Sequence, residues 1–238
     1  MTVGGGWGHP LAIGLVGALT MFGIGFRHAS PRARVASAAP ADELLVPHTR
    51  GPITVDGEAD EPDWTRAPAR TGAFVGADGR AARPVSEARV LWDDANLYLS
   101  LYAADEDIRA AKVAADGPVW AGDAFTVEVG SPDGTVHSIA VGPSGIISDA
   151  AWAPGRAADH RWQSGAKAAI DLDGTLDDPR DRDEEWVVEL AIPFPALGVA
   201  PGAEVRLPIA LRRCDVHEGG RRCGTWTGHL RLATGSPR

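Results

Sequence analysis

The sequence has little of the residue types on which many cofactor sites depend. Among its 238 residues are two cysteines and two methionines, and both methionines, Met1 and Met21, lie in the N-terminal segment. An axial methionine for haem is therefore missing from the rest of the chain. Two cysteines are also too few for a thiolate zinc site of the CxxC kind.

Catalytic signatures are missing as well. The motif Gly142-Pro-Ser144-Gly145 is one residue short of a nucleophile elbow, and His217 has no second histidine four residues later to make a zinc helix. The chain also has neither a phosphate loop nor a dinucleotide fingerprint. Glu184 and Glu185 are adjacent on a predicted strand, so they point to opposite faces and cannot flank one glycosidic bond. We therefore predict a protein that is not an enzyme.

Acidic residues are absent from residues 1–38, which contain an apolar run from Leu11 to Phe26. This run is shorter than a membrane-spanning helix, and it is followed by Ala36-Ser37-Ala38, small residues of the kind that precede a signal-peptidase cut. We predict that residues 1–38 are an export signal or a retained membrane anchor. Either would place the protein outside the cell or on the periplasmic side of the envelope.

The charge balance excludes one class of partner. Without residues 1–38 the chain would keep 20 basic and 32 acidic residues, a net charge of −12. Such a surface repels phosphate backbones, so nucleic acid is not expected to bind.

Cys214 and Cys223 flank a turn-like interval, Asp-Val-His-Glu-Gly-Gly-Arg-Arg. In an exported protein, two cysteines on either side of a hairpin-like turn predict a disulfide. For a loop this short, the bond is expected to stabilise the fold by about 2–3 kcal/mol.

Hydrophobic periodicity predicts an all-β domain over residues 51–238, preceded by a linker at residues 39–50. Apolar residues alternate with others at 97–102, 124–129, 187–192 and 205–212, which is typical of half-buried antiparallel strands. Further strands are predicted at 53–55, 88–92, 135–141, 168–172 and 225–233, with one helical turn at 106–114. We expect a two-sheet antiparallel β-sandwich, like an immunoglobulin domain or a jelly roll, with Pro208 at a strand edge or a bulge.

Trp64, Trp92, Trp120 and Trp186 each lie in a short acidic phrase, with a carboxylate one to three residues away. Three of them fall at strand boundaries, where packing in the core is expected. Trp120 differs, because it lies in a loop rich in glycine and proline, where its ring is either presented to solvent or packed. Trp152 and Trp162 flank another loop, and either could line the rim of a pocket.

Two acidic loops offer the oxygen ligands that calcium prefers. Asp56 and Asp60 represent the first loop, and Asp177 and Asp183 represent the second. The alternative is that these side chains cap turns of their own backbone.

Five phrases in order resemble the family 9 carbohydrate-binding modules and their DOMON-like relatives. They begin with the run from Ile53 to Trp64 and continue with 90–98, Trp120-Ala-Gly-Asp123, 173–183 and 185–193. The resemblance implies a β-sandwich, often calcium-bearing, that binds sugars without catalysis and assists a separate glycoside hydrolase in carbohydrate catabolism. In such modules two indoles clamp the end of a sugar, and Trp120 matches the first of them.

The chain departs from the family pattern at three places. The loop that carries the second indole is missing after Trp226, Thr126 stands where the family has a glutamate, and the strand at 137–142 has few polar residues. Glu128 lies two residues further along the same strand face as Thr126. The sugar-contacting residues that we predict are Trp120, Asp123, Glu128 and Arg212.

Three hypotheses follow from the sequence. The first is a monomeric, secreted or envelope-tethered module that binds a polysaccharide or oligosaccharide. The second is a degenerate sandwich that acts as a protein-interaction or structural module. The third is a haem-binding electron-transfer domain, which would need a histidine pair such as His137 and His229.

Overall fold

The computed structural model describes residues 42–200 and 205–233. The predicted signal or anchor lies outside the described residues. No helix among the described residues has the length and apolar character needed to cross a membrane.

Most of the regular secondary structure of the described residues is β-strand. Its twelve strands are β1 Asp42–Pro47, β2 Ala69–Arg70, β3 Val75–Gly76, β4 Ser86–Trp92, β5 Asn96–Ala104, β6 Ala124–Gly130, β7 Val136–Val141, β8 Ile147–Trp152, β9 Lys167–Asp173, β10 Glu185–Pro193, β11 Arg206–His217 and β12 Gly220–Ala233. One short helix, α1, spans Pro62–Arg66, and 3-10 turns span Val119–Ala121 and Phe194–Leu197.

The strands form two sheets that pack face to face. Sheet A has the order β1-β12-β11-β6-β7-β8, with β3 pairing beside β12, and sheet B has the order β2-β4-β5-β10-β9. All pairings are antiparallel except that of β1 with β12, which is parallel. Alternate residues of both sheets meet in one core that includes Leu99, Val127, Trp186 and Leu211. The predicted all-β sandwich is confirmed.

The boundaries differ from the sequence predictions at three places. β1 lies in the stretch predicted as a linker, because its backbone adds a strand to the edge of β12. Residues 53–55 are not a strand; this loop is tied down by hydrogen bonds such as that from the Thr54 N–H to Glu61, 2.6 Å long. Residues 106–114 are not helical either, since the carbonyls of Ile108 and Arg109, which a helix would bond to residues four positions further on, accept the N–H groups of Asp177 and Asp123.

Pro208 lies on the central strand β11, not on an edge strand. Its pairing is one-sided, because β11 pairs with β12 along its whole length but with β6 only from Ile209 onwards. Proline lacks a backbone N–H, and it is tolerated here because the pairing with β6 stops one residue before it, with Gly130 of β6 against the proline ring.

Trp64, Trp92 and Trp186 are buried, as predicted, with 0–2% of each side chain exposed. Each indole N–H donates to a buried acceptor: Trp64 to Glu189, Trp92 to the Val46 carbonyl and Trp186 to Asp105. These phrases are therefore markers of the fold, in which the aromatic ring fills the core and its polar edge is satisfied.

Candidate functional site

A pocket of about 280 Å³ lies on the outer face of sheet A. Its floor is formed by strands β6, β7 and β8, where the outward-facing positions carry small side chains. These residues are Ala124, Thr126, Ser138, Ala140, Ser148 and Ala150. Because outward positions repeat every second residue, small residues on three neighbouring strands leave a hollow instead of a flat surface.

Larger side chains form the walls of this hollow. Trp120 stands beside it with 44% of its surface exposed, so the loop presents the ring to solvent. Trp152, at the end of β8, lines the same pocket and is half-buried. His160, Arg212 and Arg221 complete the polar part of the wall. The pocket therefore combines two indoles with several hydrogen-bond donors.

Trp120 is held by the 3-10 turn Val119–Ala121, whose Val119 side chain is buried. The chain then turns into β6 at Gly122, where a β-carbon would lie 2.5 Å from the Ala111 nitrogen and 2.6 Å from the Arg109 oxygen. Only glycine fits this approach without a shift of the backbone. The Asp123 N–H also donates to the Arg109 carbonyl, 2.8 Å away, which fixes the base of the turn.

The hairpin of β11 and β12 carries both wall arginines. Cys214 and Cys223 are directly opposite each other on this hairpin and form a disulfide, as predicted. Arg212 and Arg221 each precede one cysteine by two residues, so they share the outward face of the disulfide and lie on either side of it. The disulfide therefore fixes the hairpin between the two guanidinium groups.

Asp123 does not face the pocket. It is completely buried, and its two carboxylate oxygens accept the backbone N–H groups of Arg109 and Val216, each at 2.6 Å. A sugar in the pocket would not touch this side chain, so the prediction that Asp123 contacts the sugar is wrong. Its role in the structure is to connect the loop before β6 to the end of β11.

Behind the pocket, Asp123 belongs to a buried acidic cluster with Asp105 and Asp215. The ligand oxygens of the three residues lie within 4.8 Å of one another. Arg213, which is 2% exposed, donates to Asp105 at 2.6 Å and also lies 3.2 Å from Asp215. Burial first, and then the charge of Asp105, raise the pKa of Asp123 to about 7. Burial likewise raises the pKa of Asp105, against the lowering effect of Arg213.

The remaining predicted sugar-contacting residues lie at or near the pocket. Trp120 and Arg212 line it. Glu128 is outside the lining but close by, because it faces Ser138 across the β6–β7 pair and Ser138 is part of the floor. Trp152 lines the pocket, whereas Trp162 packs against the core and against His137, with ring centroids 4.8 Å apart.

Sequence reasoning missed His160 and Arg221 as pocket residues. The loop of His160 has no periodicity that would predict a direction for its side chain. The spacing around Cys223 did contain a signal for Arg221, since residues two apart on a strand share a face.

The candidate calcium ligands do not fit a cation site. Both oxygens of Asp183 accept backbone N–H groups, from Ile108 at 2.6 Å and from Thr175 at 2.7 Å. Asp177 accepts the Ala110 N–H, and Asp56 accepts the Glu58 N–H in its own turn. These oxygens face hydrogen-bond donors where a cation would need them free. Asp60 is exposed.

The acidic cluster behind the pocket does not fit a cation either, because the Arg213 guanidinium already lies between Asp105 and Asp215. Calcium therefore has no part in the function proposed below.

The histidine pair considered for haem cannot bind one iron. His137, on β7, is paired with Val129, and both side chains face the core. His229, on β12, is paired with Pro208, and its side chain faces the opposite, outer side of sheet A. Three strand spacings, about 14 Å, also separate the two strands. Axial ligands must approach the iron from opposite sides at bonding distance, so this third hypothesis is wrong for that pair.

A scan of the sequence against protein-family models finds no match, and neither does a search of the curated proteins. Solved structures do share the fold. A proposed carbohydrate-binding protein from Bacteroides uniformis superposes with a TM-score of 0.67 at 15% identity, over 81% of this chain and 100% of that chain.

A family 9 carbohydrate-binding module from Caldicellulosiruptor kristjanssonii in complex with cellotriose has a TM-score of 0.57 at 15% identity, over 82% of this chain and 95% of its own. The same organism's family 9 module in complex with glucose has a TM-score of 0.57 at 14% identity, over 83% and 98%. At these identities the comparisons show the fold: the chain folds like a family 9 carbohydrate-binding module.

Proposed function

We propose that this protein is a non-catalytic carbohydrate-binding module that acts outside the cytoplasm, and that its binding site is the pocket between Trp120 and Trp152. The observation that carries the proposal is the presence of two indoles in the walls of one open hollow, one of them 44% exposed. What distinguishes this exposed ring from the other exposed apolar side chains is its place in the wall of a concave pocket, beside a second indole and several polar groups, which is the usual composition of a small-ligand site.

The chemistry of the pocket matches a sugar ring. The C–H faces of a pyranose stack on indole rings, and its hydroxyls need polar partners around the edge of the ring. Here the floor provides the Ser138, Ser148 and Thr126 hydroxyls, and the wall provides the Arg212 guanidinium. The solved structures with this fold and a bound cellotriose or glucose support the proposal.

The pocket also favours this function over a protein-interaction role. The family loop with the second indole is absent, since β12 runs without interruption from Gly220 to Ala233. The second indole of this pocket is Trp152, which lies on a different strand on the far side of β6 and β7. The aromatic content of the site is thus retained in a different arrangement.

Isothermal titration with soluble glucans, xylans and mannans, after a glycan-array screen, tests the proposal. Trp120→Ala should weaken binding by about tenfold or more, because the stacking face is lost while the fold is kept. Leu45→Ala is the matched control, since Leu45 is an exposed apolar side chain on β1, outside the pocket, with 52% exposure. Wild-type protein that binds no glycan, or binding that survives Trp120→Ala, would contradict the proposal.

A further inference from the structure

The charge of the pocket differs from that of the protein. The chain has a net charge of −9, yet three of the four ionisable residues that line the pocket are basic types: His160, Arg212 and Arg221. The fourth, Asp149, is 4% exposed, and one of its oxygens accepts both the N–H and the hydroxyl of Ser164, at 2.8 and 2.7 Å. A ligand in the hollow therefore meets mainly positive charge.

Arg212 and Arg221 differ from the other arginines of the β11–β12 hairpin in their ion pairing. The hairpin carries six arginines, and four of them form ion pairs with Glu43, Asp105 or Asp215. The four are Arg206, Arg213, Arg222 and Arg231. Within the described part of the chain, Arg212 and Arg221 have no carboxylate within ion-pair distance. Arg212 donates a weak hydrogen bond to the Cys223 sulfur, 3.5 Å long. Carboxylates are thus paired with every arginine of the hairpin except the two in the pocket wall.

We propose that the pocket binds an anionic saccharide, whose carboxylate or sulfate group pairs with Arg212 and Arg221 while its ring stacks on Trp120. This inference rests on the proposed function and names the ligand class of the same site. A uronic acid residue is the simplest such ligand, because its carboxylate projects from the ring that the indole would contact.

The geometry of the wall supports an anion over a neutral sugar. A guanidinium group donates bidentate hydrogen bonds that match a carboxylate or a sulfate, and it has no acceptor to offer a hydroxyl. The one carboxylate in the lining, that of Asp149, is 4% exposed: one of its oxygens is bonded to Ser164, and the other is buried without a hydrogen-bond partner among the described residues. The acceptors that a ligand reaches in this pocket are therefore neutral hydroxyls, whereas the charged groups that it reaches are guanidinium donors. The disulfide between the two arginines also limits the movement of the hairpin, which lowers the entropy cost of binding one anion with both.

The test is isothermal titration of the full-length protein with matched acidic and neutral sugars. Oligogalacturonate is compared with oligogalactose, and glucuronate-containing xylan fragments with plain xylan fragments; a sulfated galactan separates a sulfate source from a carboxylate source. The acidic member of a pair should bind at least about tenfold more tightly at 50 mM salt, and this advantage should shrink at 500 mM. Arg212→Gln and Arg221→Gln should each weaken acidic-sugar binding about tenfold and leave binding of the neutral sugar within about twofold.

Arg80→Gln is the matched control, because Arg80 is an exposed arginine in the turn after β3, outside the pocket. It removes the same charge from the protein and should leave both affinities unchanged. Trp120→Ala should weaken acidic and neutral ligands alike.

Three outcomes would overturn the inference. Equal affinity for both members of each pair would leave the binding module in place but refute the anionic ligand. Binding of inorganic phosphate or polyphosphate as tight as that of the acidic sugar would show that the arginines attract any anion. Failure of every sugar would refute the proposed function itself, and the inference with it.

Discussion

Asp123→Asn should change how the stability of the protein depends on pH. Asp123 is completely buried, and burial together with the neighbouring Asp105 raises its pKa from 3.8 to about 7. The unfolded chain loses this proton near pH 4, whereas the folded chain keeps it up to about pH 7. The folded state therefore binds more protons between these values, and the contribution of Asp123 to the unfolding free energy falls as pH rises from 4 to 7.

The magnitude follows from the same two values. The difference between 3.8 and about 7 corresponds to roughly 4 kcal/mol at pH 8. An asparagine carries no charge, so the variant lacks this loss. It does lose one acceptor, because its amide NH₂ must face either the Arg109 or the Val216 N–H, at a cost of about 1–3 kcal/mol that does not depend on pH.

Urea unfolding followed by tryptophan fluorescence from pH 4 to pH 8 measures both effects. The variant should be less stable than the wild type at pH 4, and should regain up to roughly 4 kcal/mol relative to it by pH 8. Subtracting one curve from the other removes the contribution of every group that the substitution leaves unchanged. Asp171→Asn, on the exposed face of β9, is the control and should give a constant difference. Parallel curves for wild type and Asp123→Asn would refute the argument.

Two further variants test how the pocket wall is held. Replacing Cys214 and Cys223 together by alanine should lower the unfolding free energy by about 3 kcal/mol, because the disulfide closes a loop with a sequence separation of 9. Urea unfolding of the wild type under reducing conditions should give the same decrease in unfolding free energy. Gly122→Ala should lower the unfolding free energy by about 1–3 kcal/mol, because the new β-carbon would lie 2.5 Å from a backbone nitrogen. Gly51→Ala is the control and should change the unfolding free energy little, because nothing lies within 4 Å of its β-carbon position. Equal losses of unfolding free energy in the two variants would contradict the packing of the Trp120 turn.

Local pattern was enough to predict most of the strands. Alternation of apolar residues at 97–102 and 187–192 predicted β5 and β10, and both strands bury their apolar face in the core. The spacing of Cys214 and Cys223 predicted the hairpin and its disulfide for the same reason, since both depend on residues close in the chain. Burial of Trp64, Trp92 and Trp186 was likewise predictable from their places at strand boundaries.

Predictions failed where a distant partner decided the local structure. β1 has no strong alternation of its own and is a strand because its backbone groups pair with β12, almost two hundred residues away in sequence. Residues 106–114 had a helical composition, but the Asp177 and Asp123 N–H groups donate to the Ile108 and Arg109 carbonyls that a helix would use. Asp123 was assigned to the pocket because it lies three residues from Trp120, yet its carboxylate joins Asp105 and Asp215 behind the sheet.

By itself, the sequence determined that this chain is an all-β sandwich with a disulfide-bonded hairpin and that Trp120 lies in a loop able to present its ring. The tertiary structure alone decided that Trp152 and Arg221 share a pocket with Trp120 and Arg212. These residues come together through the strand order β12-β11-β6-β7-β8. Alternation specifies which face of a strand is buried, whereas strand order depends on long-range pairing and packing, which no local pattern of residues encodes.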